Sequence, residues 1–376
     1  MSSISENTVS VIGVGKLGLC FALLLENSGY TVHAVDKNKS YIKELSQGTF
    51  KSSEPYVSQL LRTQNKIAWY SSLILDAVKD SSIIFILADT PYKSPEVPYD
   101  CCNIDSVIFE LNNLGIKGKH FVINSTVFPG YCQSKIKSIP NNYLAYSPEF
   151  IAQGNIINGL SRPDLVLIGS ENKKTITEVS DVYERLCTNK PQICSMSLIE
   201  SEITKLSVNT FLTTKISYTN YISDLADSVG ADPGIILKAV GCDTRIGHKY
   251  LKPGFGYGGP CLVRDNIALG KFADKMSIPS VIGKANDYYN SFHTKYQVDK
   301  YLKLDAKPYA FKGSVTYKPD TVLLENSQQL IIAETLLKAG KNICIEDDEE
   351  VIDKLKNMSI FIEHENQIKY VPINLL

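Results

Sequence analysis

The sequence predicts an α/β protein with three parts: a doubly wound parallel sheet, a long central helix with further helical sequence behind it, and a smaller C-terminal α/β unit. Three observations carry this. Short β-branched runs alternate with helical-period segments through the first half, the pattern of strand–helix–strand units. The stretch Glu200–Val229 then holds a helical period with no Gly or Pro. From Tyr309 onward, short β-type runs return around a helical segment.

In chain order, Thr8–Ile12, Thr31–Val35, Ile83–Leu87, Phe121–Ile123 and Leu165–Ile168 read as buried strands, with amphipathic stretches such as Leu17–Glu26 and Asn103–Leu114 between them. The long helix is marked by Ile203, Leu206, Phe211, Ile216, Tyr218 and Ile222, and stops at Gly230. A glycine cluster follows, and then one helical region over Arg264–Leu302. The last unit has Tyr309–Phe311 as a strand, a helix over Gln328–Lys338, a C-cap at Gly340 and a strand at Ile343–Ile345. The expected divisions are therefore 1–198, 199–301 and 302–376.

Composition narrows the function classes. With 376 residues, 44 % hydrophobic and 21 % charged, the chain has the make-up of a soluble globular protein of several domains. A net charge of −1 gives no electrostatic case for binding nucleic acid or an anionic membrane. No apolar run has the length of a spanning helix, and MSSISENTVS lacks the basic and apolar regions of a secretory leader. Nine cysteines without a Cys-x-x-Cys pair suggest neither a disulfide framework nor a metal site. A reducing, cytoplasmic setting is expected, with most thiols serving as small core residues.

Gly13-Val14-Gly15-Lys16-Leu17-Gly18 follows the first strand and opens a helix, and Asp36 ends the next strand 23 positions after the first glycine. The glycines permit a tight turn and let a pyrophosphate approach a helix N-terminus, whose N–H groups and dipole favour anions. An acid at Asp36 accepts hydrogen bonds from ribose hydroxyls and repels a 2′-phosphate, which selects NAD over NADP. Thr90-Pro91 falls at the carboxyl edge of the same sheet, where ligands bind, although that pair alone also reads as a plain turn.

The chemical residues lie further on. PGFGYGGPCLVRD (Pro253–Asp265) packs four glycines into six positions ahead of a cysteine. None of the five histidines lies in a site motif, so a thiol route suits the inventory better than a histidine base. Oxidation of a primary alcohol gives an aldehyde, a thiolate captures it, a second oxidation leaves a thioester, and water releases the acid. Cys261 and Asp265, four apart where a loop enters a helix, share a face near a helix N-terminus, a position that lowers a thiol's pKa. The glycines clear Cβ atoms where substrate and cofactor approach. On the long helix, Glu202, Lys205 and Asn209 form one polar line. Lys205 and Asn209 at i, i+4 suit a shared alkoxide, though by spacing alone the line reads more readily as a solvated stripe.

Together these motifs resemble the UDP-glucose/GDP-mannose dehydrogenase family. The most specific pieces are GFGYGGPCLVRD, SPEFIAQG (Ser147–Gly154) with PDLVLIG (Pro163–Gly169), ESEITKLSVN (Glu200–Asn209) and DTRIG (Asp243–Gly247). The resemblance implies an N-terminal Rossmann-type NAD-binding domain, a central dimerisation helix and a smaller Rossmann-like domain for the nucleotide sugar. It implies Cys261 as the thioester-forming nucleophile, Asp265 as the residue positioning the hydrolytic water, and Lys205 and Asn209 as oxyanion donors. Thr126 in NSTVFPG matches the family's water-holding threonine near the cofactor, and Glu149 in SPEF its active-site glutamate. Tyr250 and the backbone from Gly254 to Gly258 match the diphosphate-holding loop, Lys318 a nucleotide-contacting lysine, and Arg245 an arginine reaching the partner subunit's site. The implied partners are a nucleotide-sugar substrate and a second copy of the chain.

The chain departs from the family at several positions. Lys16 stands where Tyr is frequent and Arg264 where Lys is usual. YKPDTVLLENS (Tyr317–Ser327) replaces the common FKPDTDDIRESP, so two Asp become Val322 and Leu323 and an Arg becomes Glu325. The leading expectation is four-electron oxidation of UDP-glucose to UDP-glucuronate, because PEFIAQG sits nearer the UDP-glucose branch. A UDP-N-acetylhexosamine or GDP-mannose enzyme is the alternative within the class. A catalytically silent nucleotide-sugar-binding homologue is the alternative outside it.

Overall fold

A computed structural model describes residues 7–52, 54–151, 153–304, 308–313, 315–319 and 321–373. The chain divides into two compact units, Met1–Lys205 and Leu206–Leu376.

The first unit is built on eight strands: β1 (Thr8–Ile12), β2 (Thr31–Val35), β3 (Ile67–Tyr70), β4 (Ile83–Ile86), β5 (His120–Ile123), β6 (Tyr143–Tyr146), β7 (Leu165–Gly169) and β8 (Gln192–Met196). Their order is β3-β2-β1-β4-β5-β6-β7-β8. The chain reverses direction across the sheet after β3, between β1 and β4, so a crevice opens at the carboxyl ends of those two strands. Successive residues of β4 feed opposite layers: Ile83 and Phe85 join one core cluster, Ile84 and Ile86 the other. Such two-sided burial is why these strands read as continuous apolar runs.

The five expected strands are present, with β4 one residue shorter than expected. Three strands went unread, because IAWY, YLAY and QICSM are short and lack a β-branched run. The sheet is also not wholly parallel. β6 and β7 meet antiparallel through the single pair Tyr146↔Gly169, while β7 and β8 run parallel to each other.

The long helix spans Leu198–Ser228. Ser197 and Glu200 form a reciprocal capping box at its start: Ser197 N donates to Glu200 Oε2 at 2.8 Å, and Glu200 N donates to Ser197 Oγ at 3.4 Å. The chain leaves the helix through Gly230 at φ +71.

In the second unit, the expected helical region over Arg264–Leu302 is two helices, Gly259–Lys275 and Val281–Lys303. The break follows Met276, where Ser277 takes φ +59. The first of the two begins earlier than expected, with Gly259 and Pro260 in its opening turn. A three-stranded parallel sheet of β9 (Tyr309–Lys312), β10 (Ile343–Asp347) and β11 (Ile368–Pro372) has order β11-β10-β9. Its core gathers Phe311, Leu336, Ile345, Leu355 and Phe361.

Candidate active site

The nucleotide turn lies at the carboxyl end of β1. Gly13 sits at φ +89, and a Cβ there would come within 2.8 Å of Leu87 O, so both conformation and space demand glycine. A Cβ on Gly18 would strike Gly13 O at 2.0 Å, which fixes how closely the helix Lys16–Asn27 packs on the turn. Gly15 differs. A Cβ there meets nothing within 4 Å, and as N-cap it leaves the helix start without a side-chain cap. Open space facing uncapped amides is what a diphosphate requires, so these residues fit a dinucleotide. Asp36 directly follows β2, with Oδ1 accepting from Asn38 N at 2.9 Å. Lys16, the departure in this turn, pairs with buried Glu54 at 3.2 Å. Glu54 also accepts from Gly154 N at 2.8 Å, tying the turn to the end of SPEFIAQG.

Thr90, Thr126 and Glu149 lie beyond the carboxyl ends of β4, β5 and β6. Thr90 Oγ1 donates to Thr126 O at 2.8 Å, so two positions far apart in sequence meet at the sheet edge. The Glu202 carboxylate is taken up by backbone amides. It accepts from Gly130 N at 2.6 Å and Cys132 N at 2.7 Å, and so fixes the end of the loop that carries Thr126.

Glu149 Oε1 accepts from Tyr183 OH at 2.7 Å and from Asn124 Nδ2 at 3.4 Å. Burial raises its pKa to about 7 against the opposing pull of Tyr183, Lys205 and Asn124. Lys205 Nζ donates to Glu149 O at 2.7 Å and lies 4.3 Å from the Phe150 ring centre. Glu202, Lys205 and Asn209 are all buried, so the solvated-stripe alternative does not hold.

In the second unit, Asn209 Nδ2 donates to Asp265 Oδ2 at 2.6 Å, and Arg264 Nε lies 3.7 Å from Asp265 Oδ1. Asp265 is only 1 % exposed. One helical turn before it, Cys261 is exposed in the first turn of Gly259–Lys275, and none of the nine cysteines forms a disulfide. Tyr317 is near enough that the Cys261 charge adds to the burial that pushes the phenol up to about 12.

The glycine loop is held nearly residue by residue. Gly254 O bonds His293 Nε2 at 2.8 Å, and Asn220 reaches Gly254 N at 3.4 Å. Gly256 N donates to Gln328 Oε1, and Tyr257 N to Asn290 Oδ1 at 3.0 Å. His293 is itself braced by Asp224, Nδ1 to Oδ2 2.8 Å. The expectation that the glycines clear room for ligands needs correction at three of the four. A Cβ on Gly256 would meet Asn290 and Gln328, one on Gly258 would meet Asn326 O at 2.3 Å, and one on Gly259 would meet the Tyr317 ring. The chain's own packing demands those glycines, and only Gly254 faces open space.

The divergent segment Tyr317–Ser327 packs on this loop. Gly259 N donates to Glu325 O at 3.0 Å, while the Glu325 side chain is exposed. Val322 packs on the C-terminal core, which gives that replacement of an acid a physical reason. Lys318 Nζ lies 5.7 Å from the Tyr317 ring centre. Tyr250 takes φ +65, and its carbonyl accepts from Thr219 Oγ1 at 2.9 Å. Arg245 is exposed and held in a fork by Asp243, at 3.0 and 2.7 Å.

Sequence reasoning missed Tyr183, Asn124, Asn290, Gln328 and the Asp224–His293 pair. Asn124 opens the NSTVFPG motif and was within reach. Tyr183 was not, because it sits in the buried stripe of Lys173–Leu186 with Val179, Val182 and Leu186.

Two family models cover most of the chain: the UDP-glucose/GDP-mannose dehydrogenase NAD-binding domain over residues 7–187, and the central domain of the same family over 199–291. The chain belongs to the UDP-glucose/GDP-mannose dehydrogenase family. It is accordingly an NAD-binding protein of the nucleotide-sugar dehydrogenase class. A UDP-glucose 6-dehydrogenase of Rickettsia bellii is 28 % identical over 348 residues, spanning 88 % of this chain and 79 % of that one. A UDP-glucose dehydrogenase structure from Pyrobaculum islandicum matches with TM-score 0.84 at 24 % identity, covering 99 % of this chain and 88 % of the other. A UDP-D-ManNAc dehydrogenase structure from Pyrococcus horikoshii matches with TM-score 0.77 at 21 % identity, covering 98 % and 96 %. These two structures support the fold. No helix among the described residues is long and apolar enough to cross a membrane.

Proposed function

We propose that the chain oxidises the C6 alcohol of a nucleotide sugar to the carboxylic acid through thiohemiacetal and thioester intermediates on Cys261, with UDP-glucose as substrate. The observation that carries this reading is the exposed Cys261 thiol in a helix's first turn, one turn ahead of the buried Asn209–Asp265 pair. NAD, when bound at the Gly13–Gly18 turn and Asp36, supplies the hydride acceptor, used twice per sugar. The thiolate adds to the aldehyde carbon, and Lys205 and Asn209 donate to the oxygen that becomes negative. Asp265 and Thr126 position the water that cleaves the thioester, and Glu149 accepts its proton. Gly254, the backbone of Gly258, Tyr250 and Lys318 bind the nucleotide diphosphate. The names of the relatives favour UDP-glucose, and the PEFIAQG segment agrees with them.

A homodimer through the long helix belongs to the same reading. Phe211, Tyr218 and Leu225 recur every seven residues on that helix and are 65, 49 and 51 % exposed, an apolar line suited to a second copy. Arg245 would then serve the partner's site. The domain roles proposed are NAD binding in 1–198, dimerisation and the catalytic loop in 199–301, and nucleotide-sugar binding in 302–376. A reducing cytoplasm suits the nine thiols.

The test is NADH formation with a panel of nucleotide sugars. Two NADH per UDP-glucose are expected, with turnover lost or an intermediate trapped in Cys261→Ser. Acid production at the normal rate by Cys261→Ala overturns the thioester route. Absence of turnover on every sugar overturns the enzymatic reading in favour of a binding protein.

A further inference from the structure

Glu149 is held by a buried hydrogen-bond chain whose direction the chemistry of its members fixes. Asn124 follows β5, Ser147 follows β6, and Tyr183 lies on the helix Lys173–Leu186. They are 2, 1 and 3 % exposed. Asn124 Nδ2 lies 2.7 Å from Ser147 O, a backbone carbonyl that only accepts, so the amide nitrogen faces the cluster. The same nitrogen reaches Tyr183 OH at 3.2 Å, and Ser147 Oγ donates to that oxygen at 3.1 Å. A phenol oxygen accepts twice and donates once. With two donors directed at it, the single Tyr183 proton points to Glu149 Oε1 at 2.7 Å. The ring cannot readily turn away, because it is buried beside Phe21 with centroids 6.1 Å apart.

We propose that Tyr183 is the positioning residue for Glu149, donating its hydroxyl proton to the carboxylate and so holding that group oriented and ionised for proton removal. The role in catalysis rests on the reading above; the hydrogen-bond chain does not. Tyr183 acts through Glu149, the group that in that reading takes the proton of the reacting water.

The other charged and titratable groups around this carboxyl are few within its unit. Lys205, on the long helix, favours the ionised form. Cys187, just past the Tyr183 helix, is pushed up to about 12 by burial first and the Glu149 charge second, so it stays a neutral thiol. Burial raises Glu149 to about 7, and the Tyr183 bond is the largest influence opposing that rise. Removing the hydroxyl therefore moves the carboxyl further up. A hydrogen bond to a charged group corresponds to a shift of about one to two pH units.

The experiment compares wild type with Tyr183→Phe, which keeps the ring. Protein carrying carboxyl-labelled glutamate is titrated by NMR, with Glu149→Gln identifying the resonance. The pH profile of kcat/KM for NAD-dependent UDP-glucose oxidation is recorded on the same samples. The expected result is a Glu149 midpoint at least one unit higher in Tyr183→Phe, with the acidic limb of the profile moving by the same amount. An unmoved midpoint overturns the proposal, including the case where activity falls equally at every pH. A ring-fluorinated tyrosine at this position provides the second arm if Tyr183→Phe folds poorly: its stronger donor lowers the midpoint, and no change again overturns the proposal. If wild type oxidises no nucleotide sugar, the functional reading fails while the titration still decides the Tyr183 bond.

Discussion

Replacing Gly258 by alanine isolates one packing decision in the second unit. Gly258 has φ −145 and ψ −157, an extended backbone open to any residue, so the substitution introduces no conformational strain. The cost is steric. The new methyl sits 2.3 Å from Asn326 O and 3.3 Å from Tyr317 Cβ. Ordinary contact begins at 3.4 Å, so the backbone carbonyl must retreat by about 1 Å, beyond what a packed interior gives. Asn326 Nδ2 donates to Gly259 O at 3.2 Å, and Gly259 N to Glu325 O at 3.0 Å, so that retreat breaks bonds on either side. Overpacking costs about 1–3 kcal/mol, and one lost backbone hydrogen bond about 1 kcal/mol. The sum is about 2–4 kcal/mol, a fall of about 1 M in the urea midpoint for a slope near 3 kcal/mol per M. Gly254→Ala is the control. Its methyl meets nothing within 4 Å, so its midpoint stays within about 0.5 kcal/mol of wild type, while the KM for the nucleotide sugar rises by roughly tenfold, about 1.4 kcal/mol of lost binding. Urea unfolding followed by circular dichroism reads both. A Gly258→Ala midpoint equal to wild type refutes the claim that Tyr317–Ser327 packs on the glycine loop.

Three further outcomes follow from the geometry. Glu149 protonates near pH 7 when folded and near its ordinary value of about 4.3 when unfolded. Between those limits the folded state binds more protons, so its contribution to stability falls as pH rises, with a slope of up to roughly 1.4 kcal/mol per unit. Glu149→Gln removes that slope; identical pH dependences from pH 5 to 7 contradict the assignment. Asp36→Ala loses charged hydrogen bonds to the ribose and weakens NAD binding by roughly 10- to 100-fold, measured by calorimetry, with an unchanged Kd counting against that role. Phe211→Asp with Leu225→Asp places charge in the exposed line of the long helix. Sedimentation is expected to show a monomer where wild type is a dimer, and equal masses remove that helix face as the interface.

Five strands of the first unit were legible because each is a short, apolar, largely β-branched run. The strands of mixed composition, such as IAWY and QICSM, were not, since pairing with neighbours and not local preference makes them strands. Lys205, Asn209, Cys261 and Asp265 were singled out by type and spacing, and the family resemblance supplied their expected roles. Tyr183, Asn290 and Gln328 were hidden, because a buried polar side chain matters through a partner distant in sequence.

The sequence by itself determined the dinucleotide turn, the long helix, the thiol-bearing glycine loop and the family to which they belong. These depend on local constraints: a glycine needed at a positive φ, an uncapped helix start, a helical period free of breakers. The tertiary structure decided what the glycines at 256, 258 and 259 are for, where Glu202 spends its charge, and which hydroxyl reaches Glu149. Those are contacts across 25 to 72 positions of chain, and only folding brings their atoms within hydrogen-bond reach.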